Sequence, residues 1–257
     1  ANIKDPIVKM FWVDDYENYD LRFRKEIIAP VQNKVGQLLT SPQMRNIIGQ
    51  PKSSVDFGFI MDKKRILLAN LSKGKVGEDK SNLLGSAIIT KMYLSALERQ
   101  NMPEESRKDF YLYIDEFQNF STDIFPSILS EARKYRLNLN IAHQYLYQLP
   151  DSIKHAVFGN VGTVISFRTG SYDAKEVAEE MKPVFTSEDL EHLDNHHIAL
   201  RLLIDGKMSH AFSAVTMPPL KFTGYEAERE MVLKISRERY ATPRDIVEEK
   251  LKHWFEK

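Results

Sequence analysis

Tyr111-Leu112-Tyr113-Ile114-Asp115-Glu116-Phe117-Gln118 is the stretch on which the reading of the chain turns. Four apolar residues of strand type run directly into two adjacent carboxylates. Phe110–Ile114 is therefore predicted as a strand. Downstream, a helix is predicted over roughly Asp123–Tyr135 and a strand over Leu137–Ala142. A helical stretch to about Phe158, a strand at Gly162–Arg168 and a helix near Tyr172–Met181 follow. His197–Asp205 and Lys207–Val215 flank Asp205-Gly206, a two-residue hairpin signal. Upstream, Arg65–Leu71 is a short apolar run ended by Ser72-Lys73-Gly74 and reads as a buried strand. A long helix over about Ser81–Arg99 comes next. Strands alternating with helices predict an α/β fold whose sheet is mainly parallel with helices on both faces.

Three segments are expected. Residues 1–50 read as helical, with Phe11, Tyr16, Tyr19 and Phe23 at roughly helical spacing. Ile27, Ile28, Val31, Val35, Leu38 and Leu39 make a second apolar stripe, which Pro30 kinks or restarts. Residues 51–220 carry the sheet, which Pro218-Pro219 ends. Residues 221–257 are a charged helical tail, with Thr242-Pro243 as N-cap and first position of the last helix.

Lys+Arg and Asp+Glu both number 36, so no global basic field draws the chain to nucleic acid. Any such contact must come from a local patch or from a ring of subunits. Arg22, Arg24, Lys25, Lys34 and Arg45 could form that patch; a solvated helix face is the plainer alternative. The absence of cysteine excludes disulfides and zinc–thiolate sites. No apolar run approaches the ~18–20 residues of a membrane helix, and no leader pattern is present. A cytoplasmic domain is expected, with any seat at the inner face of a membrane coming from parts outside this chain. The alanine start suggests a piece of a longer protein.

The chemistry gathers at the end of the Phe110–Ile114 strand. In open α/β folds ligands bind at the carboxyl ends of the strands. There the first carboxylate, Asp115, can hold Mg²⁺ against nucleotide phosphates. The second, Glu116, can polarise an attacking water. The bland alternative is a pair of acids capping the next helix. Gln144, at the end of the next strand, could touch a phosphate or its water, or be an ordinary loop amide. Arg133 and Arg136 could stabilise charge developing in phosphoryl transfer; alone, such arginines are usually solvated. Arg168 could contact phosphate or DNA, or form a plain salt bridge. His192 and His196 stand at i, i+4 without an HExxH pattern, and Asp194-Asn195 reads as a turn between them, which disfavours a metal site.

LYIDEFQNF, SEARKYRLNLNIAHQY and FGNVGTVISFR, in this order, resemble the HerA/FtsK-like P-loop motor ATPases. The nearest group is the coupling proteins of conjugation and type IV secretion. LLANLSKGKVGEDKSNLLGSAIITKM is similar to members of that group. The resemblance spans about residues 51–217. It implies a RecA-like domain of a hexameric, DNA-translocating ATPase working with secretion or conjugation machinery. It makes Asp115 the Mg²⁺-associated acid of a Walker B strand and Glu116 the catalytic acid. Gln144 becomes the phosphate sensor, and Arg133 a finger reaching a neighbouring subunit's nucleotide. Residues 1–50 sit where that family inserts an all-α subdomain.

The phosphate cradle of such an enzyme, GxxxxGK[ST], has no match here. The nearest stretch is Gly74-Lys75-Val76-Gly77-Glu78-Asp79-Lys80-Ser81. Asp79 replaces the glycine before the lysine, and two carboxylates would face a polyphosphate. ATP and Mg²⁺ are thus expected to need a P-loop from elsewhere, and the chain alone to be inactive. The rival functions are a non-catalytic, P-loop-less interaction module and a nucleic-acid-binding domain using the basic helices.

Overall fold

The structure, a computed structural model, describes residues 3–220 and 224–256, and only the backbone of residues 34, 37, 38, 76 and 255. The readings placed on the Lys34 and Leu38 side chains lie outside the described residues. The chain divides into two compact units, Ala1–Ser54 with Met231–Lys257, and Val55–Glu230.

In the first unit helix starts are set by side-chain caps. Asp5 accepts from the N–H groups of Ile7 and Val8 and opens the helix Pro6–Met10. Asp20 does the same for Leu21–Thr40, and Ser41 caps Pro42–Ile48. Pro30 lies inside a single helix, and the new helix begins at Pro42 instead. The aromatic spacing seen in the sequence becomes a ladder of edge-to-face contacts. It links Phe11, Trp12, Tyr16, Tyr19 and Phe23, with ring centroids 4.9–6.3 Å apart. The last helix, Arg244–Phe255, returns to this unit: Asn46 donates to Glu248 at 3.1 Å. Thr242 does not cap that helix. Its hydroxyl donates to Gln50, and Pro243 holds the cap position.

The second unit contains every strand among the described residues. β1 (Phe110–Ile114) and β2 (Leu137–Ile141) are parallel and in register, with Phe110 opposite Leu137 and Ile114 opposite Ile141. The helix Phe125–Glu131 and the tighter turn Ala132–Tyr135 carry the chain between them. β3 (Val164–Ser166), β4 (His197–Arg201) and β7 (Phe212–Val215) form an antiparallel sheet in the order β3-β4-β7. β5 (Leu203–Ile204) and β6 (Lys207–Met208) make a short hairpin. Asp205 and Gly206 turn it with φ of 49° and 76°, as a tight hairpin of this hand requires.

The expected RecA-like, mainly parallel sheet with helices on both faces is corrected by this topology. Of the four pairings among the described residues one, β1 with β2, is parallel. The chain is α/β with helices flanking small, mostly antiparallel sheets. Alternation along β1 gives the physical reason. Ile114 is buried and Phe110 and Leu112 are half-buried, but Tyr111 is 57% and Tyr113 74% exposed. A strand covered on both faces has no such period of two. Arg65–Leu71, expected as a buried strand, has no strand partner, and its Ile66 is 88% exposed. It borders an open cleft of about 1250 Å³ along β1, where a doubly covered sheet would have another layer.

One face of the β1–β2 pair is packed. Ile114 and Leu137 share one buried cluster with Met92, Tyr93 and Ala96 of the long helix Glu78–Glu98 and with Phe125 and Ile128 of the helix Phe125–Glu131. Phe117, fully buried, stacks edge-on against Phe125 at 4.5 Å. Burying one such ring contributes about 2–3 kcal/mol, so the residue just beyond the two acids is anchored in the core. The long helix also fixes the next turn. Ser86 donates to the Phe120 carbonyl at 3.2 Å. A Cβ on Gly85 would lie 2.2 Å from the Phe120 ring and 3.1 Å from Leu71. Gly85→Ala is therefore expected to destabilise the fold by about 1–2 kcal/mol, although alanine is the better helix former. A urea midpoint at or above that of the wild type would show that Phe120 yields without cost.

Candidate functional site

β1 ends in a sharp turn that sets its two carboxylates apart. Asp115 is exposed at the strand's end, and its Oδ1 accepts the N–H of Glu116 at 2.9 Å. Glu116 takes a left-handed backbone, φ 51° and ψ 44°. That conformation costs a non-glycine residue about 1–2 kcal/mol. It returns the chain to β2: Phe117 N–H donates to the Ala142 carbonyl at 2.8 Å, while Ala142 N–H donates to Ile114. The strain is held in place by the buried Phe117 ring.

The turn brings Glu116 to residues at the end of β2. Gln144 Nε2 donates to Glu116 Oε1 at 2.5 Å, and Gln118 Nε2 donates to Oε2 at 2.7 Å. Each carboxylate oxygen then holds one amide donor and keeps a second lone pair. Gln118 Oε1 is buried without a partner, so the site has a spare acceptor. Glu116, Gln118 and Gln144 line a polar pocket of about 420 Å³ with Asn119, Tyr145, Gln148, Lys73 and Glu78. Asp115 borders the adjoining larger cleft, which Glu116, Asn119 and Lys73 also line.

Asp115, Glu116 and Gln144 thus gather at one end of the parallel pair. The arginines singled out in the sequence do not join them there. Arg136 precedes β2 and stands 3.7 Å from Asp109, at the opposite end of the strands. Arg133 is exposed in the same turn. Arg168 follows β3 and reaches Asn195 at 3.4 Å. In the first unit Arg24 is committed internally: it donates to the carbonyls of Glu17 and Tyr19 and lies over the Tyr16 ring. Arg22 pairs with Glu26, and Arg45 donates to the Leu39 carbonyl. His192 Nδ1 contacts the Glu188 carbonyl.

Gly74–Ser81 does not form a phosphate cradle. A short helix, Lys73–Val76, runs to Gly77, and the long helix starts at Glu78. Glu78 and Asp79 occupy its first turn, where the helix dipole favours acids. The Ser81 hydroxyl is spent on the Leu71 carbonyl. Lys73, Gln118, Asn119 and Gln148 were not picked out as site residues from the sequence. The usable signal for Lys73 was its place in the turn closing the apolar run Arg65–Leu71.

Behind Gln144 lies a half-buried imidazole. Burial pushes the His143 pKa below its ordinary 6.5, with Asp173 opposing weakly, and its Nδ1 has no partner. Between pH 6.5 and that lower value the unfolded chain binds a proton that the folded chain refuses. Stability is expected to fall as pH drops through this window, and His143→Gln to flatten the loss. Urea midpoints at about pH 7.5 and pH 5.5 test it; equal acid-side losses in both proteins would clear His143.

No protein-family model matches the chain, and no curated protein matches it. Among solved structures it is similar to the genome packaging NTPase B204 from Sulfolobus turreted icosahedral virus 2. With the AMPPCP complex of that protein the TM-score is 0.41 at 15% identity, covering 66% of this chain and 74% of that one. With the ATP-gammaS complex the TM-score is 0.41 at 14% identity, over the same shares. With the AMP complex it is 0.39 at 15% identity.

Proposed function

We propose that this chain supplies the hydrolytic, Walker B half of an ATP-driven, DNA-translocating motor of the conjugation and type IV secretion kind. The observation that carries the reading is the four-residue cluster at the end of β1 and β2: Asp115 exposed, and Glu116 turned so that Gln144 and Gln118 hold its two oxygens. The family resemblance of the ordered sequence segments around that site supports the motor class, a hexameric ring and DNA as cargo.

The residues fit a Mg²⁺–triphosphate. Mg²⁺ takes oxygen ligands and is usually held by one or two carboxylates plus phosphates and waters. Asp115 would offer such a carboxylate and leave Glu116 as the base, and the partnerless Gln118 Oε1 is a spare acceptor for a water beside it. When bound, the ion would neutralise phosphate charge and favour attack by water. Asp115 would hold it at the strand's end. Glu116 accepts a proton from the attacking water, aimed by its two amide donors. Gln144, which donates to that carboxylate at rest, would donate to a phosphate placed beside it. Arg133 and Arg136, away from Asp115 and Glu116, serve a neighbouring subunit's site, and Arg168 is the third cation open to phosphate or DNA.

The phosphate cradle comes from a segment other than residues 1–257, upstream in the same protein. ATP turnover by these residues joined to a P-loop segment, with and without DNA, tests the proposal. DNA-stimulated hydrolysis that needs Asp115 is the expected result. Nucleotide binding with no hydrolysis would instead make the chain a non-catalytic module.

A further inference from the structure

We infer that Lys73 is the phosphate-contacting cation of the polar pocket, held away from the ligand at rest by Glu78 and Asn119. The inference rests on the hydrolytic reading of that pocket and adds a residue to it. The pocket is lined by four carboxamides, two carboxylates, Tyr145 and one ammonium group, that of Lys73. A triphosphate placed beside Glu116 would otherwise meet amide dipoles and like charge alone. Lys73 is thus the lining group whose attraction to phosphate is strongest.

Its backbone is fixed, while its half-exposed side chain is held by two exchangeable partners. Ser72 N–H donates to Asn70 Oδ1 at 3.1 Å, and Lys75 N–H closes a turn on the Ser72 carbonyl. Ser81 ties down Leu71 just before it. The Lys73 Nζ reaches Glu78 Oε1 at 2.6 Å and Asn119 Oδ1 at 3.1 Å. The ion pair is solvent-exposed, 47% at Lys73 and 62% at Glu78, so water weakens it and a phosphate can displace it. Asn119 is three residues beyond Glu116. Exchange of Lys73 from Asn119 to phosphate would couple ligand arrival to the turn that carries the acid.

The test is a titration of the P-loop-joined protein, which holds the whole cradle, with Mg²⁺-tripolyphosphate, read by NMR at the side-chain amides of Gln118, Gln144 and Gln148. Saturable shifts are expected in the wild type. Lys73→Ala is expected to weaken binding about tenfold, and Lys73→Arg by less than about threefold. Glu78→Gln is expected to tighten it about threefold, because the cation is released. A merely structural staple would give the opposite sign there, since both variants break the same pair. Equal affinity in Lys73→Ala, weakening in Glu78→Gln, or no saturable shift in the wild type would each overturn the inference. Superimposable thermal melts confirm that the variants fold. If Lys73 behaves as stated but the P-loop-joined Glu116→Gln protein still hydrolyses ATP, the hydrolytic reading fails alone. If that protein loses turnover while Lys73→Ala binds like the wild type, the Lys73 inference fails alone.

Discussion

ATP turnover by the P-loop-joined protein is expected to fall about 10³-fold in Glu116→Gln, while Mg²⁺–ATP binding changes by less than about threefold. The amide keeps the shape of the carboxylate but cannot take a proton from water. Gln118 and Gln144 can rotate their amides to meet it, so the local hydrogen bonds need not be lost. A drop in binding equal to the drop in turnover would make Glu116 a ligand-holding group, not a base. Glu116→Gly separates chemistry from architecture at the same position. Glycine relieves a left-handed backbone that costs a non-glycine residue about 1–2 kcal/mol, so this variant is expected to fold at least as well as the wild type and to be as inactive. Retained turnover in either variant would remove Glu116 from the mechanism. Local strain at an acid that could be relaxed by glycine fits a residue kept for its side chain.

What the sequence revealed of this site depends on how local the signals are. The strand Phe110–Ile114 and its paired acids could be read because apolar strand residues and carboxylates are contiguous there. The hairpin at Asp205-Gly206 could be read because two positive φ values select those residue types. Gln144 was placed from its position at the end of β2, and the parallel register of β1 with β2 brings it to Glu116. Lys73 and Asn119, 46 residues apart in the chain, meet through tertiary packing that no local pattern encodes. The mainly parallel sheet was misread for a related reason. Apolar runs such as Arg65–Leu71 are alike whether or not a partner strand exists to cover them. Tyr111 and Tyr113 carry the period of two that the strand needed, but tyrosine suits both a buried and an open face.

The far end of the same two strands is held by one buried charge, and the largest stability loss is expected there. Arg99, 4% exposed, ends the long helix and sends its guanidinium into three other segments. Its Nε and Nη2 lie 3.0 and 2.8 Å from Asp62 Oδ1, and Nη1 donates to the carbonyls of Lys108 and Tyr135 at 2.9 and 2.8 Å. Those carbonyls precede β1 and β2, so a single planar group sets the spacing at which the parallel pair begins. Arg107 repeats the device more openly, donating to Arg99, Met102 and Lys134 carbonyls. Arg99→Met keeps much of the apolar stem but strands two carbonyls and a carboxylate. The loss is expected to be about 3 kcal/mol, below the upper end for buried pairs because Asp62 is partly solvated. Arg99→Lys is expected to recover less than half of it, since an ammonium cannot span acceptors set out for a flat fork. Urea unfolding measures both. Equal stability of the lysine variant and the wild type would mean that charge alone suffices. Equal stability of the methionine variant would mean that β1 and β2 hold their spacing by packing against the long helix, and that the guanidinium is a passenger.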